Sequence, residues 1–162
     1  MKKILLLFLT LCVVFITGCT MDTQSETTRT KEGVTITLPT AFEEFESDNW
    51  EVYYESADYA FMSKRSIKSK YKDVVSNANE YINYLLKLHE LEATVGRVDG
   101  INESFYYCYY TDYENDKPTY GYMMMVFESE DYFYLMNFSS VADKFQDSKV
   151  MLLQFALTIK VK

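Results

Sequence analysis

The sequence predicts an α+β fold: an antiparallel β-sheet with helices packed on both of its faces. Three observations carry that expectation. Ala78, Tyr81, Ile82, Leu85, Leu86 and His89 recur at the i, i+3, i+4, i+7 spacing of a single helical stripe. Residues 104–111 (SFYYCYYT), 120–127 (YGYMMMVF) and 132–138 (YFYLMNF) read as consecutive strands joined by short polar segments, an antiparallel meander. In these strands both alternate positions are apolar or aromatic, so both faces of the sheet require cover.

The chain opens with a cationic Met1-Lys2-Lys3 and an uncharged apolar run over residues 4–16. As a helix that run is only about 20 Å long, short of the ~30 Å hydrocarbon core of a bilayer, and it reads as the apolar region of a signal peptide. Ile16-Thr17-Gly18-Cys19 follows and resembles the lipobox of bacterial lipoproteins. The resemblance implies cleavage after residue 18, a diacylglyceryl thioether on Cys19 and a further fatty acyl chain, of the palmitate kind, on its new amino group. It implies a lipid-anchored protein on the extracytoplasmic side of the cell membrane, with the bilayer engaged through acylated Cys19. Two chains suffice for stable anchoring where one is marginal.

Residues 20–31 are polar, Thr-rich and free of apolar periodicity, the composition of a flexible tether. The expected organisation is therefore a leader over 1–18, a lipidated cysteine with its tether over 19–32, and one globular domain over 33–162. Val34, Ile36 and Leu38 alternate with threonines in a half-buried strand stopped by Pro39. An acidic connection over 42–49 leads to a hairpin, residues 50–54 and 59–62, turning at 55–58. A basic stretch, 64–72, precedes the amphipathic helix. Residues 94–98 form a short strand that turns at Gly100, and residues 112–119 and 128–131 connect the meander. Phe145, Met151, Leu152, Phe155 and Ala156 mark a second helix over 143–156, and 157–161 close as a short strand.

This order of elements resembles the PsbP-like fold, which includes thylakoid lumen proteins and short bacterial lipoproteins. The carrying residues are Val34-Thr35-Ile36-Thr37-Leu38-Pro39, Trp50 heading the hairpin that ends Tyr59-Ala60-Phe61, the long helix over 77–92, the meander, and Thr158-Ile159-Lys160-Val161 after the last helix. The resemblance implies accessory and binding proteins that stabilise or assemble something larger, with no shared active site to carry over.

Loss of Lys2 and Lys3 with the leader takes the formal charge from −8 to −10. That balance argues against nucleic acid, whose phosphates dominate affinity, and against a polybasic grip on anionic headgroups. Cys12 leaves with the leader and Cys19 is acylated, so Cys108 stands alone and no intradomain disulfide forms.

No catalytic residue, metal ligand or cofactor site is assigned. Asp112, Glu114 and Asp116 have the alternate spacing of a calcium loop, but the required Gly and bidentate Glu are replaced by Lys117 and Met123. His89 is the only histidine and sits on the packed stripe, and Cys108 lies mid-strand between tyrosines, a setting for core packing and not for a reactive thiol. The aromatic strands are the strongest functional signal. Tyr106, Tyr107, Tyr109, Tyr110, Tyr120, Tyr122, Tyr132 and Tyr134 either form an exposed platform or are buried with their hydroxyls at the sheet edges. The expected function is a non-enzymatic binding or assembly accessory that engages an unknown envelope protein or ligand through this aromatic surface. The alternatives are a small envelope hydrolase or metal-dependent enzyme, with a cleft around Glu128, Asp131 and tyrosines, or a small-ligand sensor.

Overall fold

The computed structural model describes residues 25–100 and 102–162. The leader, the lipobox and Cys19 lie outside the described residues. Among those described, no helix is long and apolar enough to cross a membrane.

Among the described residues, ten strands form two antiparallel sheets, accompanied by two α-helices. A seven-stranded sheet has the order β3-β4-β5-β9-β8-β7-β6, from β3 (Glu43–Glu44), β4 (Val52–Glu55), β5 (Tyr59–Ile67), β6 (Gly96–Asp99), β7 (Ser104–Glu114), β8 (Lys117–Glu128) and β9 (Tyr132–Val141). A three-stranded sheet has the order β1-β2-β10, from β1 (Glu26–Lys31), β2 (Val34–Pro39) and β10 (Lys160–Val161). The helices are α1 (Ala78–Leu88) and α2 (Ala142–Ala156). The α+β class expected from the sequence is therefore the observed one.

Strand β1 corrects the expectation that the chain is a tether as far as residue 32. Glu26–Lys31 pairs with β2 along its whole length, from Glu26↔Pro39 to Lys31↔Val34. The strand is an exposed edge with nothing to bury, so it has no apolar alternation to read. Two of its cross-strand pairs join threonine to threonine, Thr28 with Thr37 at 2.8 Å and Thr30 with Thr35 at 2.9 Å, hydroxyl to hydroxyl, while Arg29 donates to the Phe42 carbonyl at 2.6 Å. The turn uses Glu32 and Gly33, both with positive φ (50° and 78°), the geometry that matches a two-residue hairpin to strand twist.

The connection expected over 112–119 is likewise mostly strand. Only Asn115 and Asp116 turn, with φ of 51° and 62°, and pairing resumes at Glu114↔Lys117. Asp112 and Glu114 thus belong to β7 and Asp116 to the turn.

One face of the large sheet packs against α2 and the small sheet. Ile36, Leu38, Phe61, Phe105, Met123, Phe127, Phe138, Phe145 and Leu152 are buried there. The closeness of α2 requires Gly121, where a Cβ would fall inside the ring of Phe145. The other face packs against α1, whose Tyr81, Ile82, Leu85 and Leu86 meet Cys108, Met124, Val126, Phe133 and Leu135. Tyr81 stacks on Phe133 at 4.6 Å and donates its hydroxyl to Ser66 Oγ at 2.9 Å.

Local chemistry sets the length of α1. Asn77 caps its start by accepting from the Glu80 amide at 2.9 Å, and Glu128 accepts from the Ala78 amide at 2.8 Å. Glu90, with φ 54°, ends it. His89 is consequently the C-cap and exposed, not part of the packed stripe: its period is helical in sequence, but the helix has stopped. Eleven residues of helix span about 16 Å, whereas the ten residues of β9 span about 33 Å. A helix of this length leaves part of its face of the sheet bare.

Candidate functional site

The uncovered part of the α1 face is built by strand register. Side chains on one face of neighbouring strands align in rows across the ladder. One row runs Tyr53–Met62–Asn137–Met124–Cys108, of which the Met124–Cys108 end lies under α1. The next runs Glu55–Ala60–Ser139–Tyr122–Tyr110, and a third Val141–Tyr120–Asp112. In the second row two small residues, Ala60 and Ser139, sit between large ones. The result is a concavity of about 360 Å³ with Ala60 and Ser139 on its floor and Tyr53, Met62, Tyr120 and Tyr122 around it.

The rings are held firmly. Tyr110 and Tyr122 stack face to face at 4.8 Å with 7° between their planes, and Tyr120 lies 6.5 Å from Tyr122. Tyr53 packs on Phe45 at 6.2 Å and donates its hydroxyl to Glu55 at 2.8 Å. Burial, reinforced by the Asp112 carboxylate, pushes the Tyr122 hydroxyl up to about 12. Burial and the facing Tyr122 raise Tyr110, and burial together with Glu55 raises Tyr53. All three phenols are neutral at physiological pH.

The polar members of the site are the hydroxyls of Ser139 and the tyrosines and the carboxylates of Glu55 and Asp112, with Asn137 buried in the neighbouring row. Asn137 is only 5% exposed, and its Oδ1 is buried without a hydrogen-bond partner. Glu55 and Asp112 stand exposed at opposite ends of the shelf, neither in an ion pair among the described residues. Asp58, on the adjoining turn, is paired with Lys144.

The eight tyrosines singled out in the sequence do not form one platform. Alternation sends Tyr106, Tyr110, Tyr120 and Tyr122 to the α1 face, and Tyr107, Tyr109, Tyr132 and Tyr134 to the other. Tyr134 is fully buried, with its hydroxyl donating to the Lys162 carbonyl. The shelf instead recruits Tyr53, Glu55, Met62 and Ser139, which sequence reasoning missed. Their signal was the pair of small residues Ala60 and Ser139 in otherwise bulky strands, and it becomes meaningful only once the register places them side by side.

The remaining candidates lie elsewhere. Cys108 is fully buried beneath α1, and burial pushes its thiol up to about 11, which leaves no thiolate nucleophile at neutral pH. Glu128 is occupied by Lys68 at 2.6 Å and by the Ala78 amide, and Asp131 is exposed on the β8–β9 connection. Both sit at the far end of β8 and β9 from the shelf, where a separate concavity of about 360 Å³ is lined by Glu51, Arg65, Lys70, Tyr71 and Tyr132 but by neither Glu128 nor Asp131. Among the described residues, no group of three or more His, Cys, Asp or Glu side chains could hold a metal ion.

No protein-family model matches the chain, and no curated protein matches it. Solved structures do. Cyanobacterial PsbP (CyanoP) from Synechocystis superposes with a TM-score of 0.64 at 11% identity, over 88% of this chain and 96% of that one. The Ran-binding protein Mog1p of Saccharomyces cerevisiae gives 0.54 at 12% identity, over 85% and 96%. LpqN of Mycobacterium tuberculosis, involved in cell envelope biogenesis, gives 0.54 at 11% identity, over 85% and 91%. Likeness at such identities is likeness of fold: this chain has the PsbP-like fold, shared with Mog1.

Proposed function

We propose that this chain is a lipoprotein held on the extracytoplasmic side of a membrane by acylated Cys19. There it acts as a binding or assembly accessory, not as an enzyme, and its aromatic shelf engages an envelope partner. The observation that carries the reading is the bare part of the α1 face, where rigid, neutral tyrosines surround a concavity and no activated nucleophile or acid–base pair accompanies them. Tyrosine suits such a role because a large apolar ring and a polar tip serve one contact at low conformational cost. The fold supports the reading by analogy, since CyanoP, the Ran-binding Mog1p and the envelope-biogenesis protein LpqN are built on it.

Two measurements test this. Mass spectrometry of the native protein should find an acylated amino-terminal Cys19, and Cys19→Ala should abolish membrane retention or maturation while leaving the domain folded. A photo-crosslinking side chain at position 120 should give a discrete adduct in intact cells, whereas one at the still more accessible Val150 on α2 should not. An unmodified Cys19 defeats the anchoring, and indistinguishable labelling from the two positions defeats the shelf. The volume of the concavity, about 360 Å³, falls in the range of small-molecule pockets and favours a second reading as a small-ligand sensor. In that case position 120 would yield no protein adduct.

A further inference from the structure

We propose that the occupant of the shelf is a cationic partner segment, an extended stretch of chain bearing arginine or lysine, bound close to the bilayer surface. This rests on the shelf being the binding site of a lipid-anchored protein, as argued above, and adds the chemistry of what it binds.

The shelf is made of groups that attract cations. The faces of neutral tyrosines carry the negative part of the ring quadrupole, and three such rings, Tyr53, Tyr120 and Tyr122, border one concavity. Carboxylates of Glu55 and Asp112 flank them without a counter-charge of their own. The floor adds the hydroxyl of Ser139, an oxygen able to accept an N–H donor from a ligand. The neighbouring cation, Lys144, is held by Asp58.

The dimensions suit an extended chain. From β4, which carries Glu55, to β7, which carries Asp112, is four inter-strand steps, about 20 Å at the usual sheet spacing. An extended peptide covers that distance in about six residues. Two cationic side chains at this separation would meet the two carboxylates, with the chain between them lying over Tyr122 and Ser139.

Position argues for a partner near the membrane. The Ser25 carbonyl accepts from the Thr40 amide at 2.8 Å, so the described chain begins beside the β2–β3 connection. Pro39 and Ala41 of that connection line one crevice with Ser56, Asp58 and Tyr59, and these same three residues rim the shelf. Six residue steps separate Cys19 from Ser25, a reach of at most about 20 Å. The lipid anchor therefore keeps the shelf end of the domain beside the bilayer. The basic residues Lys68 and Lys70 follow the opposite end of β5. With acidic groups at the end of the domain nearest the anchor, anionic headgroups are repelled, which favours a protein segment over the lipid itself as the occupant.

The test uses the full acylated protein in detergent micelles and two six-residue extended peptides. One carries arginine at both ends, and its twin carries citrulline, which keeps the shape but loses the charge and exchanges one NH2 donor for a carbonyl oxygen. Calorimetric titration should show the arginine peptide binding at least tenfold more tightly than the citrulline peptide. Asp112→Asn and Tyr120→Ser should each weaken the arginine peptide by threefold or more without moving the melting temperature. Equal binding of the two peptides would overturn the cationic assignment while leaving the shelf as a binding site. Failure of both peptides on folded, acylated protein would overturn it too, as would protection of Tyr120 from oxidative labelling in phosphatidylethanolamine vesicles without peptide. A protein found unacylated would instead strike at the anchoring, a separate failure.

Discussion

The two parts of the α1 face are made from the same strands and differ in what lies above them. Under α1, Phe133, Leu135, Val126, Met124 and Cys108 are dry, and the one hydroxyl that reaches in, from Tyr81, finds Ser66. Past the end of the helix the same strands carry Tyr122, Tyr120, Ser139 and Asn137, with half-exposed rings and an acceptor left unpaired. The first arrangement is what a domain does to stay folded. The second leaves hydrogen-bonding capacity and aromatic surface unused by the fold, and this contrast is the ground for proposing a binding site there. The opposite face makes the same point, because fifteen residues of α2 and a second sheet cover it together.

Several substitutions break or sharpen the contrast. Phe133→Ala removes the ring beneath Tyr81 and should destabilise the domain by about 3–5 kcal/mol, read by chemical denaturation. Gly121→Ala forces a methyl group into Phe145 under α2 and should cost about 1–3 kcal/mol. Alkaline pH should destabilise the fold as well. The phenol of Tyr122 ionises near 10 when unfolded but only near 12 when folded, so its contribution is complete below pH 10 and fades as pH rises towards 12. Thermal melts should therefore be flat from pH 7 to 9 and fall above 10, with a shallower fall in Tyr122→Phe. Asn137→Leu replaces a buried acceptor without a partner and should raise stability by about 1 kcal/mol, read by chemical denaturation. Tyr120→Ser, at a residue 49% exposed, should change stability by less than about 0.5 kcal/mol yet impair partner binding.

Much of the fold is legible in the residues themselves. The stripe from Ala78 to Leu86, the alternation of Val34, Ile36 and Leu38, and the aromatic meander each state a periodicity that one element satisfies. The strand Glu26–Lys31 was not legible, because an exposed edge of threonines joined by hydroxyl hydrogen bonds has the composition of coil. The exposure of His89 was also hidden, since a spacing rule cannot see that Glu90 turns the backbone out of the helix. The candidate site was only half legible. Its tyrosines are conspicuous in sequence, but Ala60 and Ser139 become its floor only when β5, β9 and β8 are set in register.

Oxidative footprinting of the tyrosines, performed once on the purified domain and once in intact cells, tests the shelf most directly. Tyr120 and Tyr122 should be protected in cells, with Tyr113, also exposed but beyond the shelf on β7, reacting alike in both settings. Equal reactivity of Tyr120 in the two settings would mean that nothing sits on the bare strands, and the binding site placed there would have to be abandoned.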